Sequence, residues 1–579
     1  MASYKAPVAE IDFVLNEVLN LGELNHLPAF ADATPDVIQG VIDEAAKFIE
    51  RELAPLNHQG DQVGCQFKDG EVRVPPGFVE VYKQFVAGGW VGLANPAEFG
   101  GQGLPYTLSK VVGEMVCSAN VAFELYIGLT QDCFEAILAS GTEELKQTYC
   151  HRLGTGEWTG TMCMTEPQAG SDVGAVKARA LPQADGSYLI EGQKIFITSG
   201  EHRMADNIIH FVLARLPDSP RGVKGLSTFV VPKYLVNADG SLGERNPLRA
   251  VSIEEKMGMH ASCTCTMAFD GARGWMVGQP NQGIQNMFVM MNLARIMVGY
   301  QGLGLCELAT QNAIRYAQER KQGKAFSGSE AIIEHPDVRR MLLHMKTVTE
   351  AARVMAYETA MHMDLAHHHP DATRREAAQD WVELATPLVK AFCTDSAVEL
   401  GSLAIQVYGG HGYIREHGIE QIARDAKILC LYEGTNGIQA MDLVRRKLML
   451  HGGRLPHRFF TAVRADLAAG PEWVSAPLSR AVDELEACTR WLQQSFKQQP
   501  NDAAFGCVDY LRAFSLTYLG WNWLRMHRAA EAGGDSRLKA RKRATTSYFI
   551  GRLLPQVHSL CGVVRSGTQD MMSLAAENF

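Results

Sequence analysis

The sequence predicts a multi-domain α+β protein in which helical domains flank a central domain of β-strands. The chain has 579 residues, which exceeds the size of a single ordinary domain. Apolar residues recur at three- and four-residue steps before residue 160 and after residue 280, as in amphipathic helices. Between these limits, short runs of β-branched and aromatic residues alternate with Gly, Pro and Asp, as in strands joined by turns.

The first part of the chain is predicted to be helical. Residues 1–35 form an N-terminal extension with a short helix that ends at the turn ADATPD. Residues 36–159 form a helical N-terminal domain, and their helical periodicity is clear in VIQGVIDEAAKFIEREL and VEVYKQFVAGG. The glycine-rich stretch PAEFGGQGLP lacks the strand and helix that flank a dinucleotide-binding loop, so we predict that it is a connection.

Three further segments complete the predicted organisation. Residues 160–280 form a β middle domain, with strands such as LIEGQKIFIT, NIIHFVLARL and LSTFVVPK. Residues 281–450 form a helical-bundle domain of long helices. Residues 451–579 add a C-terminal helical extension, in which LSRAVDELEACTRWLQQSF has the clearest helical pattern.

Composition narrows the classes of partner and compartment. Hydrophobic residues make up 46% of the chain and charged residues 21%, as in a globular protein with a sizeable core. The net charge of −9 gives no general attraction for nucleic acid or anionic membranes. The 13 cysteines are scattered and several lie in apolar runs, which favours a reducing cytoplasm. The N-terminal residues resemble neither a signal nor a transit peptide, and no uninterrupted apolar run approaches membrane-spanning length. We therefore expect a cytoplasmic protein.

Three other features have a simpler structural interpretation. The run His367–His369 could bind a metal, but it has no second ligand cluster, so we predict an exposed loop and no metal site. The basic run Arg537–Arg543 could contact nucleic acid or lipid, but a solvated helix face is the better interpretation. The aromatic cluster of Tyr518, Trp521 and Trp523 is predicted to pack between domains.

The segment LYEGTNG, residues 431–437, contains the strongest candidate for a catalytic group. Glu433 is a lone carboxylate in an otherwise apolar run. Apolar surroundings remove hydration from a carboxylate and favour its protonated form, which suits it to act as a general base near neutral pH. The following Gly434 leaves room for a ligand close to the backbone. A structural carboxylate at a helix end is the alternative for this segment taken alone.

Motifs upstream of residue 431, taken together with LYEGTNG, resemble those of a known protein family. CMTEPQAGSD and GQKIFITSG are followed in order by a segment around Arg295, YAQERKQG, IQVYGGHGYIREHGIEQIARDAKI and LYEGTNGIQ. This ordered set resembles the FAD-dependent acyl-CoA dehydrogenase family over roughly residues 40 to 450. The resemblance implies the acyl-CoA dehydrogenase fold: a helical N-domain, a β-barrel-like middle domain and a four-helix-bundle C-domain, here with an extra C-terminal helical domain.

The resemblance also implies a reaction. Family members convert an acyl-CoA thioester to the trans-2-enoyl-CoA, with a base removing the α-proton while flavin N5 takes the β-hydride. Glu433 occupies the position of this base. Some members keep the base just before the arginine that matches Arg295, but that position here is Ala294, which cannot abstract a proton. An acyl-CoA oxidase that uses oxygen, or a non-catalytic scaffold on the same fold, are the alternatives.

The same resemblance implies which residues bind FAD. The segment from Met162 to Ser171 would wrap the flavin ring and pyrophosphate, Phe196 would stack on the ring, and Thr198 would donate to N5. Arg320 would reach the pyrophosphate in a neighbouring subunit, and residues 406–410 would meet the adenine half. Asn436 and its neighbours would lie near the adenosine. The implied FAD contacts are Met162, Met164, Thr165, Gly170, Ser171, Phe196, Ile197, Thr198, Arg320, Gln322, Gln406, Gly409, Gly410, Thr435 and Gly437.

The resemblance also implies which residues contact the substrate and which proteins are partners. The implied contacts with acyl-CoA are Ser171, Asn292, Arg295 and Gly434. FAD held by two chains implies a homodimer or a dimer of dimers, and the family passes electrons to an electron-transfer flavoprotein. The C-terminal extension is similar to that of a branch that includes 3-methylmercaptopropionyl-CoA and fatty acyl-CoA dehydrogenases.

Overall fold

The structure is a computed structural model that describes residues 2–579. The fold consists of two compact units. The first unit comprises the described residues up to Ala46, Lys110–Ser118 and Val298–Phe579, and the second comprises Lys47–Ser109 and Ala119–Met297. Two long helices, Tyr106–Ser140 and Gly283–Glu319, contribute residues to both units. The division of the protein into five segments, with the limits given above, remains a prediction.

A seven-stranded sheet dominates the second unit. Its strands are Thr159–Cys163, Arg179–Pro182, Tyr188–Thr198, Ile208–Arg215, Leu226–Pro232, Leu248–Ile253 and Thr264–Val277. Two two-stranded sheets add Gln66–Lys68 with Glu71–Arg73, and Tyr234–Val236 with Leu242–Arg245. The pairing is antiparallel except where Ile208–Arg215 meets Thr159–Cys163 and Arg179–Pro182.

The main sheet closes on itself. Strand Thr264–Val277 pairs with Tyr188–Thr198 along most of its length and with Leu226–Pro232 at its end. Leu226–Pro232 also pairs with Ile208–Arg215, which leads back through Arg179–Pro182 to Tyr188–Thr198. This closed circuit of pairings confirms the β-barrel-like middle domain. Ile208–Arg215 and Leu226–Pro232 are buried along almost their whole length, because they are almost continuously apolar.

Helices make up most of the remaining structure. The α-helices that lie wholly or mainly in the first unit are Val8–Asp12, Pro35–Phe48, Pro336–His368, Ala372–Tyr408, Ile419–Leu429, Asn436–Asp442, Arg454–Leu467, Glu472–Gln498, Pro500–Phe505, Cys507–Gly533, Ser536–Arg552 and Gln556–Arg565. The second unit adds Leu56–Val63, Phe78–Ala87, Glu143–Leu145 and His151–Thr155. The predicted helical bundle and C-terminal helical extension are therefore confirmed.

Helix Tyr106–Ser140 is long and apolar enough, by length and composition, to cross a membrane. Its most apolar window has a mean hydropathy of 1.2, and 94% of that window is buried inside the protein. Core helices of globular proteins can be equally long and apolar, and this degree of burial is typical of a core helix. The helix is interrupted at Asn120, whose backbone is not helical (φ −162°, ψ 86°).

Close backbone approach characterises the helical bundle. A Cβ at Gly302 would lie 2.7 Å from the carbonyl of Cys393, so helix Gly283–Glu319 approaches helix Ala372–Tyr408 through a residue without a side chain. The C-terminal extension packs on the bundle as well. Trp523 is fully buried and donates a hydrogen bond to the Thr347 carbonyl at 3.2 Å, which confirms that the aromatic cluster is a packing element.

The basic run near the C-terminus differs from the sequence prediction. Arg537, Arg541 and Arg543 are exposed, but Lys542 is fully buried. Its ammonium group donates to Glu350 at 2.8 Å and forms a second ion pair with Glu10. The prediction of a solvated helix face is therefore wrong for Lys542, which joins the N-terminal extension to the C-terminal helices.

The histidine run also differs in its local structure. His367 and His368 are exposed, as predicted, but they form the last turn of helix Pro336–His368 and not a loop. The His368 ring packs edge-on against Phe30, with ring centroids 4.9 Å apart. Across residues 2–579, no three His, Cys, Asp or Glu side chains are grouped as ligands for a metal ion.

Candidate active site

A tight loop from Cys430 to Asn436, called here the Glu433 loop, connects helix Ile419–Leu429 to helix Asn436–Asp442. Glu433 and Gly434 both have left-handed backbone conformations, with φ of 55° and 82°. Glycine adopts this conformation freely, but a glutamate in it carries strain of about 1–3 kcal/mol. The surrounding structure must therefore stabilise the conformation of Glu433.

The ends of the Glu433 loop are fastened by backbone and side-chain hydrogen bonds. The Asn436 N–H donates to the Cys430 carbonyl at 3.0 Å, so Glu433 lies at the centre of a closed loop. The Thr435 hydroxyl caps the next helix by accepting from the Ile438 N–H at 3.3 Å. Glu433 is half-buried and its Oε2 atom is shielded from solvent, as the apolar sequence around it predicts.

Helix Ala372–Tyr408 holds the Glu433 loop from the interior of the first unit. The ammonium of Lys390 is fully buried and donates to the Gly434 carbonyl at 3.0 Å and to Asn436 Oδ1 at 2.8 Å. The Asn436 amide group in turn donates to Asp395 at 2.7 Å and to Thr394 at 2.9 Å. The expectation that Asn436 lies against a ligand is therefore wrong for its side chain, which points into the bundle.

Sequence reasoning missed Lys390, Thr394 and Asp395. A signal was present in the segment TPLVKAFCTD, where Lys390 and Thr394 are spaced i, i+4 in a mostly apolar stretch of the helix. Polar residues at that spacing share one helix face, and a buried face with two polar groups requires partners elsewhere in the chain.

In the second unit, the motif CMTEPQAGSD forms a turn that is held by Glu166. Its carboxylate accepts from Lys194 Nζ at 2.8 Å and from the N–H groups of Lys177 and Ala178 at 2.8 and 3.0 Å. Burial opposes ionisation of Glu166, but the Lys194 charge and these hydrogen bonds outweigh it and lower its pKa. The Ile195 N–H also donates to the Thr165 carbonyl at 2.9 Å, which fixes the turn to the next strand.

This turn presents part of the predicted FAD-binding set. Met162, Met164 and Thr165 are half-buried, and Gly170 and Ser171 are exposed. A Cβ at Gly170 would meet no atom of the chain within 4 Å. The protein itself therefore does not require glycine at this position for space, and the exposed turn leaves room for a ligand there.

Phe196 is the most unusual residue of the adjoining strand Tyr188–Thr198. Its backbone is left-handed (φ 58°) and its side chain is 61% exposed, which is rare for a large aromatic residue. The pairing with strand Thr264–Val277 shifts register here, because Ile197 faces Cys265 while Lys194 faces Met267. Such a bulge redirects a side chain out of the sheet.

The neighbours of Phe196 are placed differently. Ile197 is 1% exposed, so its side chain belongs to the core and only its backbone can face a ligand. Thr198 is half-buried at the end of the strand, opposite Thr264. An exposed aromatic ring beside half-buried hydroxyl groups fits the planar ring and polar edge of a flavin.

The predicted acyl-CoA contacts Asn292 and Arg295 lie on helix Gly283–Glu319, in the part that belongs to the second unit. Arg295 is 7% exposed. Its guanidinium is 3.5 Å from Asn292 Oδ1 and 5.7 Å from the centroid of the Phe288 ring. The structure thus brings these two predicted residues together.

The residues predicted to contact the pyrophosphate and adenine of FAD lie at one end of the first unit. Arg320 and Gln322 are exposed just beyond helix Gly283–Glu319, with Arg320 Nη2 3.4 Å from Gln322 Oε1. Tyr316 on that helix stacks on Tyr408, with ring centroids 3.9 Å apart. This stacking brings the Arg320 segment beside the end of helix Ala372–Tyr408, where Gln406, Gly409 and Gly410 are exposed.

Gly409 has a conformation that favours glycine (φ 60°, ψ −138°). Gly437 is exposed one residue into helix Asn436–Asp442, close to the Thr435 hydroxyl. The predicted FAD residues of the first unit are therefore surface groups, and none of their side chains is buried in the core of the unit.

Comparisons with known proteins agree with these features. The chain matches four family profiles: "Acyl-CoA dehydrogenase, N-terminal domain" over residues 37–157, "Acyl-CoA dehydrogenase, middle domain" over 161–272, "Acyl-CoA dehydrogenase, C-terminal domain" over 281–448, and "Acetyl-CoA dehydrogenase C-terminal like" over 459–575. The last profile covers most of the C-terminal helical extension.

Two curated relatives match almost the whole chain. The 3-methylmercaptopropionyl-CoA dehydrogenase of Ruegeria pomeroyi is 42% identical over 566 residues, covering 95% of this chain and 96% of the relative. The broad-specificity linear acyl-CoA dehydrogenase FadE5 of Mycobacterium tuberculosis is 32% identical over 612 residues, covering 99% of each chain.

Solved structures show the same fold. Caenorhabditis elegans ACDH-11 in complex with C11-CoA has a TM-score of 0.78 at 18% identity, covering 99% of this chain and 95% of that one. An acyl-CoA dehydrogenase from Bacillus anthracis, complexed with FAD, also has a TM-score of 0.78 at 21% identity, covering 99% and 94%. On the profiles and curated relatives together, this chain belongs to the acyl-CoA dehydrogenase family of FAD-dependent oxidoreductases.

Proposed function

We propose that this protein dehydrogenates an acyl-CoA thioester to the trans-2-enoyl-CoA, with Glu433 as the base that removes the α-proton. The observation that carries this proposal is the placement of Glu433. It is a half-buried carboxylate at the centre of a closed loop, and its backbone is held in a left-handed conformation. Strain of this kind, maintained by its surroundings, is typical of functional residues.

The residues of the second unit fit a bound flavin. Phe196 offers an exposed aromatic face, Thr165 and Thr198 offer hydroxyl groups, and Gly170 and Ser171 leave the turn open to a ligand. When bound, FAD supplies the acceptor for the β-hydrogen, which it takes as hydride at N5. The chain itself then supplies the base and the hydrogen bonds that polarise the thioester carbonyl. We assign part of that polarisation to the backbone N–H of Glu433.

The acyl group is proposed to be either a 3-methylmercaptopropionyl group or a linear fatty acyl group. Support comes from two relatives that match nearly the full length, one named for 3-methylmercaptopropionyl-CoA and one for linear acyl-CoAs. Ser171, Asn292, Arg295 and Gly434 are the proposed acyl-CoA contacts. Single methylene groups in an acyl pocket change selectivity by only about 1–3 kcal/mol, so direct measurement must distinguish the substrates.

A homodimer and an electron-transfer flavoprotein are the proposed partners. Arg320, Gln322, Gln406, Gly409 and Gly410 form an exposed group of the kind that fits the FAD pyrophosphate and adenine of a second subunit. One solved structure with 29% identity and a TM-score of 0.60 comes from work on the electron-transferring flavoprotein of Acidaminococcus fermentans, and it covers 72% of this chain and 98% of that one. A cytoplasmic location is proposed because all 13 cysteines are free thiols.

The deciding experiment is an anaerobic titration of the purified yellow protein with 3-methylmercaptopropionyl-CoA and with linear acyl-CoAs of graded length. We expect the flavin absorbance of the wild-type protein to bleach. Glu433→Gln should retain FAD but lose bleaching by several orders of magnitude, because a neutral amide cannot accept the proton. Glu472→Gln, an exposed glutamate of the C-terminal extension, is the matched control.

Two outcomes would favour the alternatives. Steady oxygen consumption with peroxide formation, in the absence of another acceptor, would identify an acyl-CoA oxidase. Failure of every acyl-CoA to bleach wild-type flavin would favour the non-catalytic scaffold. Bleaching of Glu433→Gln at the wild-type rate would remove Glu433 from the mechanism.

A further inference from the structure

We propose that Lys390 is a positioning residue for Glu433, and this inference rests on the function proposed for Glu433. Lys390 would hold the Glu433 loop in the single backbone conformation from which the carboxylate can reach a substrate. Asn436 would transmit this hold to the far end of the loop. Neither residue touches the reacting atoms in this scheme, so their effect would be on the geometry of proton removal.

Lys390 binds two oxygen atoms of the Glu433 loop. Its ammonium contacts the Gly434 carbonyl at 3.0 Å and Asn436 Oδ1 at 2.8 Å. Gly434 directly follows Glu433, and both have positive φ. If the peptide after Gly434 turned over, its carbonyl would leave the ammonium. The hydrogen bond therefore selects the strained conformation over the relaxed ones.

The side chain of Asn436 uses both its oxygen and its nitrogen to bind helix Ala372–Tyr408. Its Oδ1 accepts from Lys390 at 2.8 Å and from the Thr394 hydroxyl at 3.3 Å. Its amide group donates to Asp395 at 2.7 Å and to Thr394 at 2.9 Å. One amide thus links a cation and an anion that both belong to helix Ala372–Tyr408. Hydrogen bonds with a charged partner are about twice as strong as neutral ones, so this link resists opening.

The contacts of Lys390 are shielded from solvent. Lys390 and Thr394 are both fully buried, at 0% exposure. A buried ammonium cannot replace its protein acceptors with water, and leaving them costs it much of its solvation. The Glu433 loop is therefore attached to the bundle by contacts that solvent does not weaken, although Glu433 itself is partly accessible.

The expected consequence is a loss of rate with little loss of binding. A displacement of about 1 Å in a reacting group can cost about a hundredfold in rate. Lys390→Met keeps the length and burial of the side chain but removes the ammonium. We expect it to lower the rate of flavin reduction about 10- to 100-fold, with FAD retention and the half-saturating acyl-CoA concentration close to wild type.

The kinetic test is anaerobic stopped-flow reduction of the holoenzyme with acyl-CoA and with α-deuterated acyl-CoA. In Lys390→Met the α-deuterium isotope effect should rise, because proton removal becomes more fully rate-limiting. Lys390→Arg, which keeps a cation, should recover part of the rate. Asn436→Ala breaks the same link from the other side, and it should give the same pattern even if Lys390→Met is poorly soluble.

Lys447→Met is the matched control. Lys447 is also buried, at 3% exposure. Its ammonium pairs with Glu383, which lies on helix Ala372–Tyr408 as Lys390 does. Its replacement removes a buried ammonium from the bundle without touching the Glu433 loop. Two results would overturn the proposal. One is a rate of flavin reduction in Lys390→Met equal to that of the wild type. The other is an equal slowing in Lys447→Met without any change in isotope effect.

Hydrogen–deuterium exchange provides a readout that does not depend on catalysis. The Asn436 N–H is bonded to the Cys430 carbonyl, so its exchange reports whether the loop is closed. Peptides covering residues 428–440 should exchange faster in the Lys390→Met and Asn436→Ala holoenzymes, but not in Lys447→Met. Unchanged exchange would overturn the positioning role. A third result separates the two proposals. If exchange is faster in the variants but no acyl-CoA reduces the wild-type protein, Lys390 holds the Glu433 loop and the function proposed for Glu433 is rejected.

Discussion

The guanidinium of Arg525 forms two hydrogen bonds with the carboxylate of Glu358, at 2.6 and 2.9 Å. Glu358 belongs to the bundle helix Pro336–His368, and Arg525 to helix Cys507–Gly533 of the C-terminal extension. The Tyr518 hydroxyl donates to the same carboxylate at 2.5 Å. Burial disfavours the charged form of Glu358, but Arg525 outweighs it and lowers the pKa. The extension therefore provides the counter-charge of a buried bundle residue.

We predict that Arg525→Met destabilises the protein by about 3–5 kcal/mol, because it leaves a buried carboxylate without its cation. The measurement is the free energy of unfolding in urea. Arg490→Met is the control, since Arg490 is 61% exposed in its pair with Glu486 and should change stability by less than about 1 kcal/mol. Equal effects of the two substitutions would show that the extension does not depend on this pair.

A second prediction concerns stability at mildly acidic pH. His202 is fully buried, and burial lowers its pKa from 6.5 to about 4. Its Nδ1 accepts from the Met204 N–H at 3.1 Å and its Nε2 lies 3.1 Å from the Thr159 hydroxyl, an arrangement that requires the neutral ring. The unfolded chain binds the proton more readily, so this contribution is complete above pH 6.5 and is lost as the pH falls towards 4.

From that shift, His202 should account for about 2 kcal/mol of the stability lost between about pH 7 and pH 5. Urea unfolding across this range should show a shallower pH dependence in His202→Gln than in the wild type. His558→Gln, which replaces an exposed histidine, should leave the slope unchanged. A wild-type slope in His202→Gln would mean that this ring is not held neutral.

A third prediction tests the exposed ring of Phe196. Phe196→Leu should weaken FAD binding about tenfold, because an aliphatic side chain cannot stack on a planar ring. Phe196→Trp should retain FAD. The measurement is the ratio of flavin to protein after gel filtration, supported by titration of flavin fluorescence. Phe505→Leu, at another exposed phenylalanine of the chain, is the control. Full retention of FAD by Phe196→Leu would exclude a stacking role.

A fourth prediction concerns Arg320. If Arg320 binds the FAD pyrophosphate of a second subunit, Arg320→Ala should weaken FAD retention about 10- to 100-fold, which matches the loss of a charge-assisted hydrogen bond. Arg339→Ala is the control, because Arg339 is exposed and pairs with Glu334 on the surface. Flavin content and sedimentation should be measured together. A variant that stays fully yellow would contradict the contact between subunits.

The architecture was predictable because local periodicity reports it directly. Strands such as Ile208–Arg215 are mostly apolar runs, and helices such as Glu472–Gln498 repeat their apolar residues with a helical period. The partial burial of Glu433 was predictable because its carboxylate lies in an otherwise apolar segment, whereas its catalytic role stays a prediction.

The supporting residues were not predictable, because their partners are distant in the chain. Lys390 contacts a carbonyl 44 positions later, and Lys542 pairs with a glutamate 532 positions earlier. A pattern in a short window cannot distinguish a lysine with a buried partner from one in solvent. The left-handed backbone of Phe196 was also hidden, because it depends on a register shift against another strand.

The ion pair between Glu10 and Lys542 has a consequence for biosynthesis. Glu10 and Lys542 are 532 positions apart, so the ribosome must add more than 500 residues after Glu10 before it reaches Lys542. The N-terminal extension therefore cannot reach its final ionic environment during most of elongation. Glu10 gains its buried cation only after helix Ser536–Arg552 has been synthesised.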